Sequence, residues 1–213
     1  MSEARLRVAV LVSGEGTNLQ AILDSVHGRG GIEVVGVAAS RPGARALERA
    51  RAAEVETAVF SAADHDDRGA RDAALERWLV GREVGLVVLA GFMELLSPAF
   101  CERFERRVIN VHPSLLPAFR GLHAIERAVE QGVKVTGVTV HFVDEGTDSG
   151  PIILQRAIEL AYPAAIEEIE RRMHEVEHEL LPDAIRLVAR GAVRIDPSSP
   201  RHVLIEEPTD ARG

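Results

Sequence analysis

Asn110 and His112 stand two positions apart in Val108-Ile109-Asn110-Val111-His112-Pro113-Ser114-Leu115-Leu116-Pro117, a β-branched run that ends in a proline-bracketed loop. Residues i and i+2 of an extended strand project from one face, so an amide and an imidazole are offered to one small volume. A neutral hydrogen-bond donor beside a proton-transfer group is what a reaction passing through an oxyanion requires. Taken alone, the pair more readily describes a strand end with a solvated amide and a core imidazole. Its neighbours in the chain change that reading.

A second chemical feature lies near the N-terminus. Ser13-Gly14-Glu15-Gly16-Thr17-Asn18 leaves an apolar strand and enters a helix. Backbone amides at a helix start, with glycines that allow close approach, form an anion site suited to phosphate. The dinucleotide fingerprint is absent, because Leu19 stands where a third glycine is required, and so is the Lys-Ser/Thr of a P-loop. By itself the loop reads equally as a tight turn with Thr17 or Asn18 as helix cap.

The elements that must position these groups follow from periodicity. Strand-like runs at Leu6–Ser13, Ile32–Ser40, Ala58–Phe60, Gly85–Ala90 and Arg107–Val111 alternate with helical patterns at Asn18–His27, Ala44–Ala53, Arg68–Leu79 and Ser97–Glu105. Such alternation predicts an α/β fold with a parallel sheet covered on both faces. Strands at Val133–Asp144 and Pro151–Leu160, joined by the loop Glu145-Gly146-Thr147-Asp148-Ser149-Gly150, then extend the sheet as an antiparallel pair. A long helical pattern runs from Ala164 to Arg190, where Pro182 is expected to kink it or start a second helix. Residues 191–213 read as a short strand and a polar tail, leaving residues 1–190 as a single domain.

Composition narrows the function. The 213 residues carry a net charge of −8 and no Lys/Arg run, which argues against nucleic acid as partner. Cys101 is the single cysteine, so neither an intrachain disulfide nor a thiolate metal cluster is available, and it is expected to pack as a small hydrophobe. The apolar run Val8–Val12 is too short for a signal peptide core or a membrane span. The chain is expected to be cytoplasmic, and either a monomer or a homodimer.

In order and spacing, five segments resemble the folate-dependent formyltransferases, most closely those that act on glycinamide ribonucleotide. They are Ala90-Gly91-Phe92-Met93, Asn110 to Pro117, Gly121-Leu122-His123, Gly137 to Val143 and Asp148 to Ile153. The resemblance runs from the first strand to about Gly191 and implies a Rossmann-like, mostly parallel sheet. The implied reaction moves a formyl group from 10-formyltetrahydrofolate, as cosubstrate, to the amine of glycinamide ribonucleotide, without a metal.

By the same resemblance Asn110 and protonated His112 stabilise the oxyanion, and Asp148 matches a carboxylate that keeps His112 charged; an adjacent negative charge favours imidazolium. Gly16, Thr17 and Asn18 match the phosphate-binding positions, and His174 and Glu177 those near the ribose. For His174 and Glu177 the residues alone also fit a solvated helix face. Arg68, Met93, Glu94, Leu95 and Leu96, with Asn110 and the loop Asp144, Glu145, Gly146, Thr147 and Asp148, match folate-binding positions. His141, in a β-branched strand, is expected to be structural, and His123 to open a helix. Glu94 departs from the family, which often has a basic residue there. An arginine at 94 is therefore expected to favour the anionic folate, unless Glu94 has a positive partner such as Arg68.

Competing readings are a formyltetrahydrofolate deformylase, a methionyl-tRNA formyltransferase and an inactive folate- or nucleotide-binding module. The first usually has an N-terminal regulatory domain, for which Met1–Arg7 leaves no room. The second needs a C-terminal RNA-binding domain and a basic surface. The intact Asn110, His112 and Asp148 argue against the third.

Overall fold

The β-branched runs form one seven-stranded sheet in the order β3-β2-β1-β4-β5-β6-β7. The structure is a computed structural model that describes residues 5–163 and 165–206. Strands β1 (Leu6–Val12), β2 (Ile32–Ala39), β3 (Thr57–Val59), β4 (Leu86–Leu89) and β5 (Val108–His112) are parallel. Strands β6 (Val135–Phe142) and β7 (Ile152–Glu159) continue the sheet antiparallel. This is the α/β architecture with an antiparallel extension that the sequence predicts.

Burial on both faces explains the near-continuous apolar strands. Val8, Val10 and Val12 of β1 pack into one core with Leu19 and Ile22 of α1 (Thr17–Ser25), Leu47 of α2 (Ala46–Ala52) and Met173 of α6 (Ile166–Ala189). Ala9 and Leu11 face a second core with Leu75 and Leu79 of α3 (Arg68–Val80) and Phe100 of α4 (Pro98–Arg103). A short helix, α5 (Ala124–Glu130), precedes β6. Local signals fix the helix starts. Asp67 accepts a hydrogen bond from the Ala70 amide at 2.7 Å at the head of α3, and Ser97 accepts from Phe100 at 3.3 Å ahead of Pro98.

Two features of the topology position the site. From β1 the chain proceeds outward to β2 and β3, then returns to β4 on the other side of β1, opening a crevice at the carboxyl ends of β1 and β4. The antiparallel pairing of β5 with β6 sets Asn110 opposite His141 and His112 opposite Thr139.

Two expectations need correction. Of the two outcomes expected at Pro182, the second helix does not form: α6 continues through the proline as one helix. Leu180, Leu181, Ala184 and Ile185 around it are all buried, and at about 1.5–3 kcal/mol per large apolar side chain their burial outweighs the roughly 3 kcal/mol cost of an internal proline. After Gly191 the chain forms a hairpin, β8 (Val193–Ile195) with β9 (Val203–Ile205), in place of one short strand. The expected helix start at Ala164 and the polar run beyond Glu206 lie outside the described residues. Among the described residues no helix is long and apolar enough to cross a membrane.

Gly137 marks a close approach of β6 to its neighbours. A Cβ there would lie 2.1 Å from the Arg156 carbonyl oxygen on β7 and 2.7 Å from Leu115 in the loop after β5. Gly137→Ala is therefore expected to destabilise the protein by about 1–3 kcal/mol through overpacking, seen as a lower denaturant midpoint at constant slope. An unchanged midpoint would show that this contact relaxes freely.

Candidate active site

Asp148 is the point on which the polar side chains converge. One carboxylate oxygen lies 3.3 Å from Nδ1 of His112 and accepts the Gly121 amide at 2.8 Å. The other accepts from the Asn110 side-chain amide at 3.3 Å and lies 3.6 Å from Nε2 of His141. The same Asn110 nitrogen is 3.2 Å from His141 Nε2, while His141 Nδ1 is 2.7 Å from the Phe142 carbonyl. His112 Nε2 faces the Phe119 carbonyl at 2.9 Å. Both ring nitrogens of His112 thus face acceptors, an arrangement that a doubly protonated ring satisfies. Sequence reading placed His141 outside the site; the β5–β6 register carries it in, because directly opposed residues of an antiparallel pair share a face.

The loop before Gly150 is built to hold the carboxylate. Asp144 Oδ1 accepts from Ser149 Oγ at 2.6 Å and from the Gly146 amide at 3.1 Å. A Cβ on Gly146 would fall 2.1 Å from Ser149 Oγ, so a larger residue there would displace the hydroxyl that bonds Asp144. Asp148 itself has φ 47°, the left-handed region that Asp tolerates better than most residues. Arg201, in the β8–β9 connection, donates to the Ser149 carbonyl at 2.7 Å. Burial works against ionisation of Asp148, but the neighbouring His141 and His112 rings and the Gly121 amide outweigh it and hold its pKa at about 2.

The other end of the crevice belongs to α1 and α6. Gly16 is the N-cap of α1 in a left-handed conformation, and no side chain caps the first turn, so neither Thr17 nor Asn18 is the cap and the leading amides are left for an anion. A Cβ on Gly16 would meet Ala46 at 2.5 Å, so this glycine also permits the packing of α1 on α2. Asn18 donates to Glu177 at 2.9 Å, and His174 contacts the same oxygen at 3.0 Å. Glu177 is buried, which removes the solvated-face reading for it. Its hydrogen bond raises the pKa of His174 against the effect of partial burial. The side-chain amide oxygen of Asn18 (Oδ1) is buried without a partner in the structure.

Between these ends Ser13 Oγ accepts the Met93 amide at 2.9 Å, and the Ser13 amide donates to the Gly91 carbonyl at 3.1 Å. This ties the glycine loop to the segment after β4. Beyond it a cavity is lined by Arg68, Glu94, Leu95, Leu96, Asn110 and the loop from Asp144 to Asp148. Met93 does not line it; its side chain is exposed, and Phe92 takes the inward place. Cys101 also lines the cavity, and burial raises its pKa, so the thiol behaves as an apolar wall. Glu94 has a positive partner, which is Arg71 at 3.0 Å and not Arg68. An arginine at 94 would face that buried guanidinium, so the expected gain for an anionic cosubstrate does not follow. Among the described residues no group of three or more His, Cys, Asp or Glu could hold a metal ion.

The depressed Asp148 pKa has a consequence for stability. A carboxyl lowered from 3.8 to about 2 on folding contributes stability above its unfolded pKa and loses it as pH falls through the folded one. The shift corresponds to about 2 kcal/mol. Asp148→Asn is expected to lower stability at neutral pH and to flatten the loss between about pH 4 and about pH 2, measured by denaturant unfolding across that range. A variant with the wild-type acid limb would contradict this.

Comparison with known proteins agrees with this geometry. A family model described as formyl transferase matches residues 6–185. The trifunctional purine biosynthetic protein adenosine-3 of Drosophila melanogaster is 42% identical over 200 residues, covering 92% of this chain and 15% of that protein. The chain thus spans about 15% of the length of that relative. Phosphoribosylglycinamide formyltransferase of Haemophilus influenzae is 39% identical over 190 residues, covering 89% of this chain and 90% of that one. The crystal structure of glycinamide ribonucleotide transformylase 1 from Symbiobacterium toebii superposes with a TM-score of 0.91 at 46% identity, covering 96% of each chain. With a family model matched over most of its length, the chain belongs to the formyl transferase family.

Proposed function

We propose that the protein transfers a formyl group from 10-formyltetrahydrofolate to the amine of glycinamide ribonucleotide, giving formylglycinamide ribonucleotide and tetrahydrofolate in de novo purine synthesis. The observation that carries this reading is the convergence of Asn110, His112 and His141 on Asp148, at the edge of a cavity, with an uncapped helix start following the neighbouring strand β1. Amine attack forms a C–N bond while the carbonyl electron pair moves to oxygen. Collapse of that intermediate breaks the bond to the folate nitrogen, which receives the proton lost by the amine.

Asn110 and His112 supply the groups this sequence needs. An amide N–H and a charged imidazole aimed at the developing oxyanion stabilise it more than the neutral formyl group. Before substrate binds, their hydrogens face His141, Asp148 and the Phe119 carbonyl. The formyl oxygen takes the place of one of these internal acceptors. The Asp148 carboxylate, 3.3 Å from His112 Nδ1, orients the ring for this role. The amides of Thr17 and Asn18 suit the substrate phosphate, and the Glu177 carboxylate and the open Asn18 acceptor suit ribose hydroxyls.

Tetrahydrofolate release from 10-formyltetrahydrofolate, followed with and without glycinamide ribonucleotide, tests the assignment. Release that depends on the amine supports a transferase; release without it would make the protein a deformylase. Asn110→Ala and His112→Ala are each expected to lower kcat about 10²–10³-fold, as for loss of one oxyanion donor. A loss confined to KM would remove them from the chemical step. Glu177→Gln is expected to raise KM for the ribonucleotide with little change in KM for the folate. Gly16→Val would not separate these effects, because its side chain would also strike Ala46.

A further inference from the structure

Behind the cavity lies a buried ionic cluster that oxyanion chemistry does not use. Arg71, on α3, is 1% exposed. Its Nε and Nη2 donate to Asp72 Oδ1 at 2.9 and 2.7 Å, Nη1 to Glu94 at 3.0 Å, and Nη2 also to the Leu95 carbonyl at 2.7 Å. The other Asp72 oxygen accepts the Ser97 amide at 2.5 Å, and the guanidinium carbon is 6.0 Å from the centre of the Phe92 ring. One guanidinium, directly or through Asp72, therefore reaches four of the six positions from Phe92 to Ser97. Phe92, Glu94, Leu95 and Leu96 of that segment line the cavity opposite the loop from Asp144 to Asp148.

We propose that Arg71 is the positioning residue of the folate cavity: it fixes the wall from Phe92 to Ser97 from behind. This rests on the folate reading of the cavity given above. The segment joins β4 to α4 without regular structure of its own, so its shape depends on side-chain anchors. A planar fork spreads its four donations here over three nitrogens in a fixed geometry, which the single ammonium of a lysine does not reproduce. Of the three charged side chains, Glu94 is the one open to solvent, with 38% of its side chain exposed against 2% for Arg71 and for Asp72. The acidic residue at a usually basic position is thus one arm of an internal anchor, paired before any ligand arrives with a guanidinium that it shares with Asp72.

The test is a calorimetric titration of the full chain with tetrahydrofolate, paired with steady-state kinetics. In Arg71→Met, folate binding is expected to weaken roughly tenfold to a hundredfold, the scale on which misplaced binding groups act. KM for glycinamide ribonucleotide should stay within about twofold of wild type, since a wall shift on the folate side leaves that binding unchanged. Arg71→Lys should not restore folate affinity. Glu94→Gln keeps the Arg71–Asp72 contact and serves if Arg71→Met does not fold; it should weaken folate binding in the same direction. Wild-type affinity in Glu94→Gln, or an equal loss of affinity for both substrates in folded Arg71→Met, would overturn the proposal. Wild-type protein that binds no tetrahydrofolate would instead refute the folate reading itself.

Discussion

A single carboxylate in a constrained turn organises the polar side of this protein. Asp148 reaches its position with left-handed backbone torsion, between an Asp144–Ser149 hydrogen bond and the Gly121 amide. Such conformations cost about 1–3 kcal/mol and persist only where the surroundings over-determine them. Here they are over-determined by a glycine at 146, where a Cβ would push the Ser149 hydroxyl from its place on Asp144, and by an arginine from the C-terminal hairpin on the next carbonyl. With the carboxylate fixed, Asn110, His112 and His141 acquire a common partner and a common orientation.

The sheet supplies the rest of the geometry. Parallel strands β1, β4 and β5 end on one side of the molecule, so the glycine loop after β1, the cavity wall after β4 and the Asn-x-His pair of β5 open into one crevice. Substrate phosphate at one end and folate at the other would place the reacting amine and formyl groups between them, where proximity contributes as much as acid–base chemistry. Ser13 joins the two binding loops through the Met93 amide, coupling the register of one to the other.

Much of this was legible in the chain, for specific reasons. Alternating apolar strands and helical stripes report burial on both faces, so the sheet and its helices could be placed to within a few residues. Asn110 and His112 were readable because a period of two puts them on one face. Asp148 and Glu177 were not reachable from local pattern and came from family resemblance. His141 was missed because its sequence context is that of any buried strand; only the register with β5 sets it against Asn110. Glu94 looked like a charge defect for the same kind of reason, since its partner Arg71 lies on a different element, 23 positions earlier. Phe92 rather than Met93 faces the cavity because the Met93 amide is drawn to Ser13. Long-range pairing, which one sequence does not record, accounts for all three.

The account makes Asp148 act through His112, and a double-mutant cycle on catalysis examines that link directly. Rates of formyl transfer would be compared for His112→Ala, Asp148→Asn and the double variant at one pH. If Asp148 serves to charge and orient His112, the double variant falls little further than His112→Ala, because groups that act as a unit are strongly non-additive. Losses that multiply, so that Asp148→Asn costs as much without His112 as with it, would contradict the account and assign the carboxylate a separate role.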